Sequence, residues 1–269
     1  MSPFGLRVER SGPRSTIARV TLARPEVRNA FNAELIASLT ETFAGLADEP
    51  PSRLRAVIIA GDGPVFCAGA DINWQRAAMN LSLEENEADA GRLHDMLAAI
   101  DTCPVPVVAR VHGAALGGGM SLCAAADVVL AVAGTRFGFT ETKLGILPAV
   151  IAPFVLAKIG EGQARAVIPA GERFGAERAL AMGLVHEVLP DEEALDARLE
   201  VVVGEIISAG PTAARAAKAL IRDLRGRPAD TARDLVVGVA ARQRISPEGQ
   251  EGLGAFLEKR APRWPDDRE

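Results

Sequence analysis

Two short segments of small residues have the composition of turns that expose backbone amides. Residues 66–71 read FCAGAD and follow a predicted strand that ends near Ala60, and residues 113–119 read GAALGGG and follow a strand that ends at Val111. Small side chains let a ligand approach the backbone, and a glycine-rich junction before a helix presents free N–H groups at the positive end of the helix dipole. Each segment alone is equally compatible with a tightly packed turn. Together they favour a two-donor oxyanion hole, in which one donor typically contributes about 3–4 kcal/mol to transition-state stabilisation.

One carboxyl group, that of Glu141, lies among apolar residues that could raise its pKa. Phe139 precedes it, and an apolar segment begins at Leu144. Desolvation raises the pKa of a carboxyl group toward neutrality, which is what a general acid or base requires. The spacing alone is better explained by a surface glutamate that pairs with Lys143, so both interpretations stay open at this point.

The histidine and tyrosine counts also favour carboxylate chemistry. The 269 residues include three histidines and no tyrosine, so acid–base catalysis would fall to Asp or Glu. Residues 119–123, GMSLC, miss the GxSxG pattern of a nucleophile elbow by one residue. A serine hydrolase would need Ser121 to work with His186, which lies in a plain strand pattern. His94 and His112 are predicted to be structural.

Charge and cysteine content exclude several classes of protein. Thirty basic and 35 acidic residues give a net charge of −5, which argues against a nucleic-acid partner. Three cysteines without a CxxC spacing argue against a disulfide scaffold and against a metal site, and they suit a reducing cytoplasm. The N-terminus lacks the apolar core of a signal peptide, and the longest apolar run, residues 146–157, contains two prolines and is too short to span a membrane. We therefore expect a soluble cytoplasmic protein.

The chain alternates between strand and helix patterns up to about residue 190. Strands are predicted at 17–22, 55–60, 105–111 and 127–131, and helices at 32–47, 82–101, 120–126 and 176–182. Asn32 is a predicted N-cap, and residues 82–85, SLEE, spell a capping box. After residue 190 only helical patterns follow, so we predict an α/β core over residues 1–205 and a helical segment over 206–269.

Taken in this order, the segments resemble the enoyl-CoA hydratase/isomerase (crotonase) superfamily. The resemblance starts at residues 23–32, ARPEVRNAFN, continues through FCAGAD, the glycine triplet and the Glu141 segment, and ends at residues 256–260, FLEKR. It implies a spiral of ββα turns with a C-terminal helical trimerisation segment, assembled as a homotrimer or a dimer of trimers. It also implies an acyl-CoA substrate and no cofactor.

The resemblance assigns roles to particular residues. Backbone amides of Ala68 and Gly118 would bind the thioester oxygen, and Glu141 would be the acid/base. Arg24, Arg28 and, from a neighbouring subunit, Lys259 would face the CoA phosphates or adenine. The remaining residues expected to contact substrate or CoA are Ala30, Gly69, Ala70, Asp71, Ile72, Trp74 and Gly117.

The sequence departs from typical hydratases of this family at Ser121. Those enzymes carry a first glutamate just after the glycine triplet, where this chain has Ser121, whereas Glu141 matches their second. A serine cannot act as a carboxylate base, although its hydroxyl could orient a water molecule. Three activities stay open: hydration by Glu141 alone, Δ3,Δ2-enoyl-CoA isomerisation by the same residue, or acyl-CoA binding with poor turnover.

A finer resemblance concerns the acyl group. Residues 71–74 and 84–86, with residues 144–155, look like bacterial methylglutaconyl-CoA hydratases of leucine breakdown, which as a subgroup also lack the first glutamate. A second substrate carboxylate would require a cation, for which Arg76 and Lys143 are candidates, and Trp74 could form a wall. The sequence therefore predicts hydration of a 2-enoyl-CoA. A thioester hydrolase acting through Ser121, or a non-catalytic acyl-CoA- or RNA-binding protein, is the alternative of another class.

Overall fold

The computed structural model describes residues 5–264, which form nine strands and ten α-helices. The strands are β1 Leu6–Ser11, β2 Ile17–Leu22, β3 Ala56–Gly61, β4 Val107–Val111, β5 Ala114–Leu116, β6 Val128–Val132, β7 Arg136–Gly138, β8 Arg173–Gly175 and β9 Glu187–Leu189. The helices are α1 Ala33–Ala47, α2 Ile72–Ala78, α3 Leu83–Asp101, α4 Gly118–Ala125, α5 Ala152–Val167, α6 Ala176–Ala181, α7 Glu192–Ser208, α8 Pro211–Asp223, α9 Ala229–Ile245 and α10 Pro247–Leu257.

Two sheets organise these elements. The larger has six strands in the order β1-β2-β3-β4-β6-β9, in which only the β1–β2 pair is antiparallel. The smaller has the order β5-β7-β8. Strands β4 and β5 are separated only by His112 and Gly113, and β6 and β7 only by residues 133–135, so successive strands pass from one sheet to the other. The predicted α/β class, with strands turning in a spiral ahead of C-terminal helices, is confirmed.

The strands of the larger sheet are apolar because both of its faces are covered. Strand β4, VVARV, is buried along its whole length, which is typical of parallel strands with helices on both sides. One face packs against α1 and α3 through a large cluster that includes Phe43 and Leu97. The other face packs against α7 through Leu195, Leu199 and Val203.

The predicted helix starts are confirmed by their hydrogen bonds. The Asn32 side chain accepts from Leu35 N–H at the start of α1, and Ser82 and Glu85 form the reciprocal bonds of a capping box at the start of α3. The smaller sheet was not predicted, since strands of three residues are too short to show an alternating pattern.

The C-terminal helices begin later than predicted. The expected boundary at residue 205 falls inside α7, which belongs to the core because its apolar side covers the larger sheet. Helix α7 ends before Ala209 and Gly210, which connect it to α8. Helices α8, α9 and α10 then pack against one another. Within residues 5–264, no helix is long and apolar enough to cross a membrane.

The start of α8 depends on a buried carboxylate from α10. Gly210 offers no side-chain cap, and Glu248 Oε2 and Oε1 instead accept from Thr212 N–H (2.9 Å) and Ala213 N–H (2.7 Å). We expect Glu248→Ala to lower the free energy of unfolding by about 1–3 kcal/mol, because two half-buried donors lose their acceptor. Chemical denaturation measures this, and Glu161→Ala, which alters an exposed ion pair, is the matched control with a change below about 0.5 kcal/mol.

Candidate active site

The two amide-presenting turns meet beside the smaller sheet. Cys67 pairs with β5 through a bond from its N–H to the Ala114 carbonyl and one from Leu116 N–H to its own carbonyl, both 3.0 Å long. The chain after Cys67 therefore runs alongside the turn that leads into α4. Gly69 has a φ of +104°, and a Cβ there would lie 3.0 Å from the Leu116 carbonyl oxygen. Glycine is required at position 69 for both reasons.

The second turn presents an unpaired amide, that of Gly118, at the first residue of α4. Gly117 has φ 47° and ψ −112°, and its N–H donates to the Gly138 carbonyl at 3.0 Å. Gly118 then opens the helix, where N–H groups have no intrahelical acceptor. Among residues 5–264 no acceptor faces the Gly118 N–H, so this predicted donor is available for a ligand.

The first turn offers Ala70, and not the expected Ala68, as its donor. Ala68 N–H donates to the Arg28 carbonyl at 3.0 Å, and Ala68 does not line the cavity described below. The neighbouring bonds, from Phe31 N–H to the Gly69 carbonyl and from Asp71 N–H to the Phe31 carbonyl, leave Ala70 N–H without an acceptor in the described part of the chain. Ala70 lines the cavity together with Gly118. The prediction of Ala68 as the donor is therefore wrong, and the unpaired amide lies two residues later, at Ala70.

Glu141 lies at the end of β7, where a single 3-10 turn, Glu141–Leu144, follows the strand. A Cβ built on Gly117 would be 3.3 Å from Glu141 Oε1, which places the carboxyl group against the start of α4. Its Oε2 is buried and makes no hydrogen bond with the described residues. Burial raises the pKa of Glu141 above its ordinary value. The alternative of an ion pair with Lys143 is not observed within residues 5–264.

These groups line one cavity of about 210 Å³. Its walls come from the turn at Ala70, the start of α4, helices α2 and α3, and the segment that precedes α5. The lining residues are Phe31, Ala70, Trp74, Gln75, Ala78, Asp89, Leu93, Gly118, Glu141 and residues 146–151. Trp74 is a wall, as predicted, whereas Arg76 and Lys143 are not among the lining residues.

Arg24 performs a structural task and is not a free cation. Its guanidinium donates to the Ala30 carbonyl (2.6 Å) and to Asp71 Oδ2 (3.1 Å). Asp71 in turn caps α2 by accepting from Asn73 N–H. The pair therefore joins the segment before α1 to the turn that presents Ala70, and Arg24 is not placed to face CoA phosphates.

Asn29 is a positioning residue that the sequence analysis missed. It is fully buried at a φ of 56°, and its amide nitrogen donates to the Asp62 carbonyl (2.8 Å) and the Val65 carbonyl (2.9 Å). Its Oδ1 accepts from Arg24 N–H. Apart from glycine, asparagine is among the residues that best tolerate a left-handed backbone. The asparagine immediately before Ala30 was therefore the one feature of the sequence that could have indicated this positioning role.

The other residues predicted to contact substrate or CoA are either exposed at the surface or buried beside the first turn. Arg28 and Lys259 are exposed, and both have a left-handed backbone with φ of 56° and 55°. The side chain of Ile72 is exposed at the start of α2, and Ala30 is buried beside Phe31. The roles of Arg28, and of Lys259 from a neighbouring subunit, stay predictions.

The serine and the histidines do not form a catalytic group. Ser121 is fully buried, and its hydroxyl donates to the Gly118 carbonyl one helical turn earlier at 2.5 Å. His186 Nδ1 accepts from Val129 N–H, and His112 Nε2 donates to the Gly63 carbonyl. No group of three or more His, Cys, Asp or Glu residues within 5–264 could hold a metal ion.

Residues 12–267 match the family model described as enoyl-CoA hydratase/isomerase. The chain belongs to the enoyl-CoA hydratase/isomerase family. The bovine mitochondrial enoyl-CoA hydratase domain-containing protein 2 is 34% identical over 264 residues, which cover 94% of this chain and 86% of that protein. The family predicted from the sequence motifs is confirmed.

Solved structures extend the likeness to the fold. The enoyl-CoA hydratase of Shewanella pealeana superposes with a TM-score of 0.90 at 32% identity, covering 97% of this chain and 96% of that one. Pseudomonas aeruginosa AtuE gives a TM-score of 0.91 at 35% identity, covering 96% and 98%. This family member therefore has the family's fold over nearly its whole length.

Removing the Arg24 guanidinium should destabilise the turn that carries Ala70. In Arg24→Gln, Asp71 loses its ionic partner, and we expect the free energy of unfolding to fall by about 1–3 kcal/mol. Thermal and denaturant unfolding measure the change. Arg28→Gln, at an exposed arginine four residues later, should leave unfolding unchanged, and an equal loss in both variants would contradict the role of Arg24.

Gly117 should tolerate no side chain without loss of activity. Gly117→Ala puts a side chain on a residue whose φ is +47°, which adds about 1–3 kcal/mol of backbone strain. Its Cβ would lie 3.3 Å from Glu141 Oε1 and would displace the carboxyl group. Gly134→Ala is the matched control, since Gly134 has a φ of +81° but open space around it. Both variants should lose stability, and only Gly117→Ala should lose kcat for 2-enoyl-CoA turnover.

Proposed function

We propose that the protein hydrates a 2-enoyl-CoA thioester. The observation that supports this most is that Glu141, with a buried and unpartnered carboxyl oxygen, shares one cavity with the unpaired amides of Ala70 and Gly118. A thioester oxygen bound by both amides would hold the enoyl group beside that carboxyl group.

The two amides supply the electrostatic part of catalysis. When a nucleophile adds to the β-carbon, negative charge moves onto the thioester oxygen and an enolate forms. Amides that already point to that oxygen stabilise the charge without reorganisation, and each typically contributes about 3–4 kcal/mol. The oxygen therefore gains most from these donors when the charge has developed.

Glu141 supplies the proton transfers. In its ionised form it accepts a proton from water while the water oxygen bonds to C3 and the C2=C3 electrons move toward the thioester oxygen. The protonated carboxyl group then donates that proton to C2, the enolate returns to a thioester, and Glu141 is ionised again. A single carboxyl group therefore completes the cycle. Burial raises its pKa toward neutral pH, where a general acid or base works best.

Isomerisation is the second candidate activity. The observation in its favour is that α4 carries Ser121 where a second carboxyl group would lie, and that serine hydroxyl is bonded to the Gly118 carbonyl. Glu141 alone could remove a proton from C2 of a 3-enoyl-CoA and return it to C4. The same two amides would stabilise the dienolate, and no water would be consumed.

Replacing Glu141 by its neutral isostere should abolish turnover. Glu141→Gln keeps the size of the side chain and removes the titratable group, so kcat/KM for crotonyl-CoA should fall by about 10²–10⁴-fold. The hydrated and isomerised products are resolved by chromatography with mass detection, using crotonyl-CoA and a 3-enoyl-CoA as substrates. Retention of activity within a few-fold would contradict the proposed role.

Ser121→Ala separates hydration from the hydrolase alternative. Because the hydroxyl is buried and already bonded, we expect hydration within about threefold of the parent, with no free CoA released by either protein. A covalent acyl-enzyme detected by mass spectrometry, lost in Ser121→Ala, would instead establish a thioester hydrolase.

The pH dependence of kcat/KM should report the burial of Glu141. Hydration requires the ionised form, so activity is lost as pH falls through the pKa of this group. Because burial raises that pKa, the acid limb should lie above the ordinary glutamate value of about 4.3. A rate profile over crotonyl-CoA concentration and pH measures it, and an acid limb at or below the ordinary value would contradict desolvation of the carboxyl group.

We also propose a homo-oligomeric assembly in the cytoplasm. Large apolar side chains on α8 to α10 are exposed in the single chain, among them Ile221 (73%), Ile245 (76%) and Phe256 (80%). Burial against other copies would remove this area from water. Three free, buried cysteines suit a reducing compartment. Light scattering after gel filtration gives the number of subunits.

Arg28 and Lys259 stay the candidates for contacts with CoA.

A further inference from the structure

The charges that line the cavity favour one class of acyl group. Its lining includes two carboxyl groups, those of Glu141 and Asp89, and no Lys, Arg or His among the described residues. Arg76 and Lys143, the cations considered for a second substrate carboxylate, are exposed and outside the lining. Most of the remaining wall is apolar, formed by Phe31, Leu93 and residues 146–151.

Asp89 is held in this wall by its own helix. It lies in α3, its side chain is only 13% exposed, and its Oδ1 accepts from Arg92 Nη2 at 2.6 Å. Arg92 itself is 53% exposed and does not line the cavity. Arg92 therefore pairs with Asp89 from outside the lining, while the Asp89 side chain remains at the cavity.

We propose that Asp89 is a specificity-determining residue that excludes acyl groups with a terminal carboxylate, so that the substrates are 2-enoyl-CoA thioesters with an uncharged acyl chain. This inference rests on the proposed function, since it concerns the acyl group bound beside Glu141. The physical reason is that a substrate carboxylate entering the cavity would lose hydration and meet the like charge of Asp89, whose cationic partner Arg92 lies outside the lining. Rejection through repulsion costs the uncharged substrate nothing.

Two substrates that differ by one carboxylate provide the test. Glutaconyl-CoA is crotonyl-CoA with a carboxylate added at C4, so their relative kcat/KM isolates the effect of that charge. We expect the parent enzyme to favour crotonyl-CoA by at least about tenfold. In Asp89→Asn the ratio should fall to below about threefold, through faster use of glutaconyl-CoA.

Two further variants separate a charge effect from structural damage. Arg92→Gln removes the compensating charge and leaves Asp89, so it should shift the ratio in the opposite direction, further toward crotonyl-CoA. Glu87→Gln changes an exposed carboxylate of the same helix that does not line the cavity, and it should leave the ratio unchanged. Loss of helix packing could not produce opposite shifts in Asp89→Asn and Arg92→Gln.

The outcomes distinguish this inference from the proposed function. Turnover of crotonyl-CoA with equal or better use of glutaconyl-CoA would overturn the role of Asp89 alone. A ratio that does not move in Asp89→Asn would overturn it as well. Failure of the parent enzyme to hydrate or isomerise any enoyl-CoA offered, including 3-methylcrotonyl-CoA and 3-methylglutaconyl-CoA, would overturn the proposed function and this inference with it.

Discussion

The site depends on one geometric constraint, namely that two backbone amides from distant parts of the chain must face the same cavity. Amides are rigidly attached to the main chain, so they can be aimed only by bending the backbone itself. Gly69 and Gly117 adopt φ values of +104° and +47°, and Gly117 sits against Glu141 Oε1. The pairing of Cys67 with β5 then holds the two bends together, because it joins the first turn to the strand that carries the second.

A buried polar framework stabilises these bends from outside the cavity. Asn29 bridges its own segment to the loop after β3, and Arg24 bridges it to Asp71. The Arg28 carbonyl accepts from the Ala68 amide, so within residues 5–264 the unpaired amide of the first turn that lines the cavity is that of Ala70. The segment from residue 24 to residue 31 thus acts as a template for the turn. A paired amide cannot also serve a ligand without losing its first acceptor, which explains why the framework determines the identity of the donor.

Desolvation gives the same cavity its chemical character. Glu141 is half-buried, and its Oε2 has no partner among residues 5–264; burial raises its pKa, which suits it to exchange protons with a bound thioester. Asp89, in the same lining, forms an ion pair with Arg92. The two carboxyl groups of the cavity therefore differ in their surroundings, since among residues 5–264 only Asp89 has a cationic neighbour.

The amino-acid sequence by itself determined the features that depend on local interactions. Helix starts at Asn32 and Ser82, the two glycine turns, the acid/base candidate Glu141 and the order of family motifs are all encoded within a few consecutive residues. Tertiary structure alone decided which amide is unpaired, since the acceptor of Ala68 lies 40 residues away at Arg28. It also decided that Arg24 is paired with Asp71, that Ser121 is buried against its own helix, and that Asp89 reaches the cavity. Hydrogen bonds and charges between distant segments have no period or spacing in the chain, so only the folded molecule reveals them.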